Sequence, residues 1–408
     1  MKCRHCDKEL NQIFLDLGSS PPSNSYLTEQ TMKEPEKWYP LKVMVCDNCW
    51  LVQTEDFVGS AEMFSDDYAY FSSYSTTWLE HARSYVESMS TRFKLTSDSM
   101  VVEIAANDGY LLQYVKGKNI PCYGIEPTHS TALAAREKGI EIIEEFFGKK
   151  KAVELAEQGR QADLIAANNV LAHVPNINDF VKGFALLLKP NGVATFEFPH
   201  LLNLIKQKQF DTIYHEHYSY LSLIAVQSIF EANGLTIFDV GEIPTHGGSL
   251  RIYAQRSDSN LHPISDKVKI IKSNEEQEGL DTLAFYTGFQ LKVKKVKFDM
   301  ISFLLEARSE GKSVVAYGAA AKGNTILNYA GIRPDSIPYV VDMNPAKQGK
   351  YMPGSRIPII DEVRLKQDKP DYVLILPWNL KNEIMNQLDY IKEWGGRFVT
   401  VIPEVVIQ

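Results

Sequence analysis

The sequence predicts an α/β protein in three parts: a small metal-stapled lobe, a central doubly wound parallel sheet, and a second, smaller α/β sheet. Three observations carry this. Four of the five cysteines fall within the first fifty residues as two CxxC pairs, Cys3/Cys6 and Cys46/Cys49. From about Trp78 onward, apolar runs of strand length alternate with helix-period segments. After a charged amphipathic stretch without proline, from about Ser265 to Ser309, the alternation resumes. The expected domains are residues 1–65, 66–260 and 261–408.

At 408 residues, 44% hydrophobic and 23% charged, the chain is long enough for two or three packed domains, which excludes a disordered or fibrous protein. A net charge of −8 matches nucleic acid and anionic bilayers poorly, so small molecules are the expected partners. No apolar run approaches the roughly 18 residues that span a membrane, and the start, Met1 to Cys6, lacks the apolar core of a signal peptide. The expectation is a cytoplasmic monomer.

The N-terminal stretch to about Glu62 is rich in turn formers, including Pro21, Pro22, Pro35 and Pro40, with few periodic runs. In a reducing compartment its two CxxC pairs suit zinc better than disulfides, a redox CxxC being the alternative. Four thiolates close a tetrahedral shell, so the metal should staple a lobe too small to build its own core and should not be catalytic. Cys122, alone in an apolar run, reads as core.

The central strands are expected in MVVEIAAN, CYGIEP, IEIIEEF, ADLIAANN, VATFEFP, LTIFDV and SLRIYAQ. The last two are joined by a loop alone, which predicts an antiparallel edge pair. SVVAYGA, PYVVDM, YVLILPW and FVTVIP are the strands expected of the C-terminal sheet, with the charged stretch before them forming bridging helices.

Ligands of doubly wound sheets bind beyond the strands' carboxyl ends. The first strand's turn, EIAANDGYLL, has small residues at Ala105, Ala106 and Gly109, and Asn107 tolerates a left-handed conformation. Glu126 ends the second strand, where a carboxylate can accept from a ribose diol, which fits an adenosine-containing cofactor. The alternative is an ordinary βα turn, since GxGxxG is missing. More unusual is DTIYHEHYSYLS after the fifth strand, which crowds Tyr214, His215, Glu216, His217, Tyr218 and Tyr220 together. Histidine can take a proton at neutral pH and a neighbouring glutamate can orient it, against the alternatives of a chelating HxH or a polar loop. His173, in NNVLAHVPN, either shares that rim or caps a helix. In DYAYFSSYST, Tyr68 and Tyr70 are site candidates, while Phe71 and Tyr74 suit a packing strip. THGGSLRIY offers Gly247, Gly248, Ser249 and Arg251, or simply a hairpin turn. AYGAAAKGNT brings Gly318, Lys322, Gly323 and Asn324 to a helix start that suits a diphosphate, with Asp342 and Lys347 at the next strand end, against an ordinary small-residue turn.

With these residues in hand, the whole chain resembles the S-adenosylmethionine-dependent nucleotide-sugar C-methyltransferases, which place branching methyl groups on 4-keto-deoxysugars. The paired CxxC, DYAYFSSYS, EIAANDGYLL, NNVLAHVPN, YHEHYSYLS, GGSLR, AYGAAAKGNT and VDMNPAKQGKYMPG occur in that family's order, YHEH being the most specific. The resemblance implies a zinc lobe, a class I methyltransferase Rossmann-like sheet binding S-adenosylmethionine, and a C-terminal Rossmann-like domain holding a nucleotide-diphosphate keto-deoxysugar. It implies His217 as the base, with Tyr214, Glu216 and His173 around the sugar and Tyr68 or Tyr70 completing the pocket. Glu103, Ala105, Asn107, Asp108, Gly109, Glu126, Asn168 and Asn169 would serve the cofactor. Gly248, Ser249, Arg251, Gly318, Lys322, Gly323, Asn324, Asp342 and Lys347 would serve the substrate. The family's ExGxGxG turn reads Glu103, Ala105, Asn107, Gly109 here.

The chemistry then follows. Carbon becomes a nucleophile once a proton beside a carbonyl is removed, so a His217/Glu216 pair would form an enolate at C-3′ that takes the methyl. A neutral His173 or a tyrosine would donate to the oxyanion. The competing reading is a nucleotide-sugar or NAD-dependent oxidoreductase using the C-terminal sheet, which a GxGxxG after a strand would favour; none exists. A non-enzymatic zinc adaptor would leave the YHEHY cluster without a purpose.

Overall fold

The computed structural model describes residues 1–55 and 71–408, so Tyr68, Tyr70 and the expected boundary at residue 65 lie outside the described residues. The two cysteine knuckles are built alike. Asp7 and Trp50, each following the second cysteine of its pair, take positive φ of 59° and 60°. Their N–H groups reach back to the Cys3 and Cys46 carbonyls at 3.0 Å, and the Cys3 and Cys46 N–H groups pair with Lys8 and Leu51. Three antiparallel strands accompany them, β1 (Gln12–Ser20), β2 (Tyr39–Val45) and β3 (Val52–Thr54). Periodicity does not reveal β1, because register shifts between Ile13 and Leu15 and between Asp16 and Ser19 break its alternation.

Helix α1 (Thr76–Arg92), whose Trp78 N–H is capped by the Ser75 side chain, leads into the central sheet. There follow β4 (Val101–Ile104), α2 (Leu112–Gly117), β5 (Cys122–Ile125), α3 (His129–Glu137), β6 (Glu141–Ile143) and α4 (Lys149–Glu157). Next come β7 (Ala162–Asn168), α5 (Ile177–Leu187), β8 (Leu188–Pro199) and α6 (Leu201–Lys206). The segment ends with β9 (Ser219–Tyr220), α7 (Leu223–Ala232), β10 (Leu235–Ile243) and β11 (Ser249–Arg256). The sheet order is β10-β11-β8-β7-β4-β5-β6. Every apolar run expected to be a central strand is one. β4 lies parallel between β5 and β7, so the strand order reverses there and the crevice opens above the carboxyl ends of β4 and β7. The expected antiparallel pair exists, with β11 inserted against β8 and β10 at the edge.

Strand β9 does not join this sheet. It pairs with β3, Val52 opposite Tyr220 and Gln53 opposite Ser219, and completes the N-terminal sheet as β1-β2-β3-β9.

The bridging helices are α8 (Asp266–Glu278), α9 (Leu283–Tyr286) and α10 (Phe289–Ser309). α10 buries Val293, Val296, Met300, Phe303, Leu304 and Ala307 at helical spacing, and Phe289 stacks on Phe14 of β1 at 4.9 Å. On α8 the fully buried Glu275 accepts from His200 Nε2 (2.7 Å) and from the N–H groups of Leu223 and Ile224, fastening α8 to the first turn of α7.

The last unit holds β12 (Val314–Tyr317), α11 (Ala321–Ala330), β13 (Val340–Val341), β14 (Ile359–Ile360), α12 (Glu362–Asp368) and β15 (Tyr372–Ile375). It closes with α13 (Lys381–Gln387), β16 (Arg397–Thr400) and β17 (Val406–Ile407). Its order is β14-β13-β12-β15-β16-β17, parallel except at the last pair. The N-terminal lobe is clasped to it. Leu27 and Tyr351 exchange both backbone hydrogen bonds, and Tyr26 donates its hydroxyl to Ala319 O at 2.6 Å. Among the described residues no helix is long and apolar enough to cross a membrane.

Candidate active site

Cys3, Cys6, Cys46 and Cys49 converge so that their sulfurs all lie within 4.8 Å of one another, with Cys3–Cys49 at 3.5 Å and Cys6–Cys46 at 3.6 Å. Tetrahedral zinc with bonds of about 2.3 Å places its sulfurs about 3.8 Å apart, so these residues fit a closed zinc shell. Gln53 donates its amide to Cys3 Sγ at 3.2 Å, an outer hydrogen bond of the kind that orients a thiolate ligand. Cys122, on β5, is partly buried against the core of the central sheet.

At the reversal point, the turn after β4 holds Ala105, Asn107 and Gly109 at φ of 58°, 48° and 74°. A Cβ on Gly109 would sit 2.5 Å from Ile140 Cδ1, so this position of the ExGxGxG pattern keeps its glycine for space as well as for φ. Glu126 accepts from the N–H groups of Asn107 and Thr128, both at 2.9 Å, which leaves lone pairs on each oxygen for a diol. Glu103 lies beneath, and burial pushes its carboxyl well above the ordinary range. Asp108 Oδ1 and Asn169 Oδ1 are buried without a hydrogen-bond partner among the described residues. A strained turn, a part-satisfied carboxylate and orphaned acceptors fit a ligand rich in N–H and O–H donors, as the ribose and amino groups of S-adenosylmethionine are.

Beside this crevice His217, His173 and Tyr214 come together. His217 donates Nδ1–H to the Thr212 carbonyl at 2.8 Å, and His173 donates Nδ1–H to the Glu216 carbonyl at 2.9 Å. Both rings therefore carry their lone pair at Nε2. Their centroids are 4.6 Å apart, and Tyr214 lies 4.1 Å from His217. Burial holds His217 well below the usual imidazole range and His173 at about 4, so both are neutral bases at pH 7.

Two expectations need correcting. Glu216 does not orient His217; its carboxylate is held by the Asn24 amide at 2.7 and 2.8 Å, from the N-terminal lobe. Nor does His173 offer a donor to an oxyanion, because its one N–H is committed to Glu216 O. Burial pushes Glu216 up to about 7. Folded Glu216 thus binds more protons than unfolded Glu216, and its stabilising protonation is lost as pH rises from about 4.5 through about 7. Glu216→Gln keeps an acceptor for Asn24 and removes the titration. Urea unfolding should find it more stable than wild type by roughly 2–3 kcal/mol at pH 8, with no gain at pH 5. An equal difference at both pH values would contradict this.

Of the expected substrate set, Lys322 is the residue whose charge is felt at His217 and His246. Its Nζ donates to Asn379 Oδ1 at 2.9 Å and sits 4.6 Å from the Trp378 ring centroid; Trp378 Nε1 in turn donates to Asp211 Oδ2 at 2.7 Å. Burial pulls Lys322 down to about 8, with Asp211 opposing, and pushes Asp211 up to about 6. The remaining substrate candidates are tied up elsewhere. Asp342 accepts from the Ala319 and Asn344 N–H groups, and Lys347 donates to Ala319 O at 2.8 Å. Asn324 is fully buried and donates to Ser23 O, while Gly318 and Gly323 pack against Pro377 and Leu376. Ser249 bonds Thr245 O, and Arg251 pairs with Glu197, whose other oxygen takes His81 Nε2 at 2.8 Å. Tyr74, expected in a packing strip, is 68% exposed.

Sequence reasoning missed Asn24, Asp211, Trp378 and His246. His246 holds a left-handed backbone (φ 55°, ψ 24°), accepts from Asn169 Nδ2 at 3.2 Å, and is held at about 4 by burial. A Cβ on Gly247 would lie 2.5 Å from Trp378, which is why glycine follows this histidine. A histidine beside two glycines was the available signal.

Three family models tile the chain: a zinc binding domain over residues 3–64, a methyltransferase domain over 78–240, and a C-methyltransferase C-terminal domain over 244–403. The C-methyltransferase NovU of Streptomyces niveus is 32% identical over 403 residues, 99% of this chain and 96% of that protein. Among solved structures, magnesium protoporphyrin IX methyltransferase from Synechocystis PCC 6803 is 18% identical, with a TM-score of 0.35 over 44% of this chain and 83% of its own. The PH0226 protein from Pyrococcus horikoshii OT3 is 13% identical, with a TM-score of 0.37 over 46% of this chain and 95% of its own.

Proposed function

The chain belongs to the family of S-adenosylmethionine-dependent C-methyltransferases, and we propose that it methylates a carbon beside the ketone of a nucleotide-linked 4-keto-deoxysugar, C-3′ in our reading. The observation that carries this is the pair of neutral imidazoles, His217 and His173, each anchored through Nδ1–H so that Nε2 is the basic atom. A base of this kind is indispensable for carbon, because the carbon beside a ketone has no lone pair until its proton is removed, and the C-methyltransferase relatives make carbon the expected acceptor. Bound S-adenosylmethionine supplies an electrophilic methyl.

His217 Nε2 takes the proton from the carbon beside the ketone. The C–H electron pair passes into the enolate, whose carbon would then be the nucleophile that takes the methyl group, with S-adenosylhomocysteine as the co-product. The Thr212 carbonyl keeps the His217 ring in place and fixes its tautomer throughout. The central sheet, residues 66–260 in our division, would hold the cofactor, while residues 261–408 and the Asn24–Tyr26 strap would wall the sugar nucleotide. The oxidoreductase reading loses support from the turn after β12. There the Ala319 N–H is taken by Asp342 and the Ala320 N–H by Gly318 O, so two of the turn's donors are already committed and few remain for a dinucleotide phosphate.

Incubation with S-adenosylmethionine and dTDP- or GDP-linked 4-keto-6-deoxyhexoses tests the reading. The expected product carries one added methyl on a ring carbon by NMR, at C-3′ and not at C-5′, with S-adenosylhomocysteine released. Methyl found on oxygen, or hydride exchange with a nicotinamide and no methyl transfer, would sink it.

A further inference from the structure

We propose that Lys322 is a catalytic residue, its ammonium binding the reacting ketone oxygen as that oxygen takes on the enolate charge. This rests on the enolate reading above. Hydrogen-bond accounting at the two histidines, together with the placement of Lys322, points to it. An enolate needs a donor at oxygen as well as a base at carbon. His217 and His173 have each given their single N–H to a backbone carbonyl, so neither can be that donor. Lys322 has three N–H bonds, and one is used by Asn379.

Its placement is equally specific. Lys322 stands in the first turn of α11, a helix that packs against the loop carrying Asp211 and Thr212, the latter being the residue that anchors His217. Thr325, on the same helix, donates to Ile213 O at 2.9 Å, which fixes α11 to that loop. The indole of Trp378 covers one side of the ammonium. Lys322 forms no ion pair among the described residues, although it is half-buried against the Trp378 ring. Burying a cation without a contact anion is costly unless an anion arrives during function. The same charge disfavours protonation of both His217 and His246, so it helps keep the base in its working form until the enolate appears.

In the step itself Lys322 transfers nothing. The proton moves from carbon to His217 Nε2, the electron pair moves toward oxygen, and a fixed positive charge meets it in a poorly solvated site, where such an interaction is strongest.

The test separates this role from simple capture of the diphosphate. With S-adenosylhomocysteine bound and dTDP-4-keto-6-deoxyglucose at saturation in deuterated water, uptake of deuterium beside the ketone is followed by NMR, together with kcat for methyl transfer. Lys322→Gln is expected to lower both by about 10²- to 10³-fold, while calorimetry finds the affinity for the probe changed less than about threefold. Lys322→Arg, which keeps the charge, should stay within about tenfold of wild type. If Lys322→Gln binds the probe at least tenfold more weakly yet exchanges normally at saturation, Lys322 serves the diphosphate and the proposal falls while the enolate reading stands. If Arg and Gln variants are equally slow, charge is not the agent and the proposal also falls. A wild type that binds the probe but neither exchanges nor methylates it overturns the enolate reading itself.

Discussion

His217→Asn is expected to lower kcat by roughly 10²- to 10⁴-fold, the usual contribution of a general base, with S-adenosylmethionine affinity nearly unchanged. The substitution is matched to the site. An asparagine amide can still donate to the Thr212 carbonyl in place of Nδ1–H, so the loop keeps its anchor while the basic Nε2 disappears. Solvent deuterium uptake beside the ketone isolates the proton step from methyl transfer. The wild type should exchange and the variant should not. Undiminished exchange in His217→Asn would pass the role to His173, whose ring centre is 4.6 Å away and whose tautomer is the same.

Loss of the metal should be felt at the same histidine. Strand β3 follows the second knuckle directly, and its Thr54 donates N–H to Tyr218 O and Oγ1 to His217 O, both at 3.1 Å. The zinc shell therefore fixes a strand that fixes the backbone of His217. Cys49→Ser is expected to abolish the one zinc per chain and to lower the unfolding temperature markedly. A structural zinc site contributes on the order of 10–16 kcal/mol to a small finger, and some of that would be lost here. Below the new unfolding temperature kcat should fall more than cofactor affinity, because the turn after β4, proposed to hold the cofactor, follows a strand paired with β5 and β7. Elemental analysis beside kinetics decides this: zinc-free protein with wild-type kcat would show that the lobe does not hold His217.

The central and C-terminal sheets were legible because parallel strands buried on both faces are written as unbroken apolar runs, as at residues 164–167 and Tyr372–Ile375. The first sheet was not. β1 is interrupted by register shifts, and β9 is two residues inside a histidine- and tyrosine-rich loop, too short for any period. At the site, the crowding of YHEHY was visible and its pairing was not. Adjacent residues of an irregular loop face different ways, so His217 turns to Thr212 while Glu216 turns to Asn24, far away in sequence. Lys322 was legible as a cation in a small-residue turn, but its direction is set by Trp378 and Asn379, which belong to the loop after β15. Such choices are made by tertiary packing, to which local pattern is blind.

Strand β9 also bears on how the chain is made. Both cysteine pairs leave the ribosome with the first fifty residues, and the metal can close its shell early. The free edge of β3 must then wait for Ser219 and Tyr220. At about 5–20 residues per second that interval is roughly 10–30 s, during which the nascent lobe shows an unpaired strand edge to every neighbouring chain. The zinc lobe is thus synthesised ahead of the central sheet yet finished only once β9 has followed, and a fragment ending near residue 65 would carry that open edge permanently.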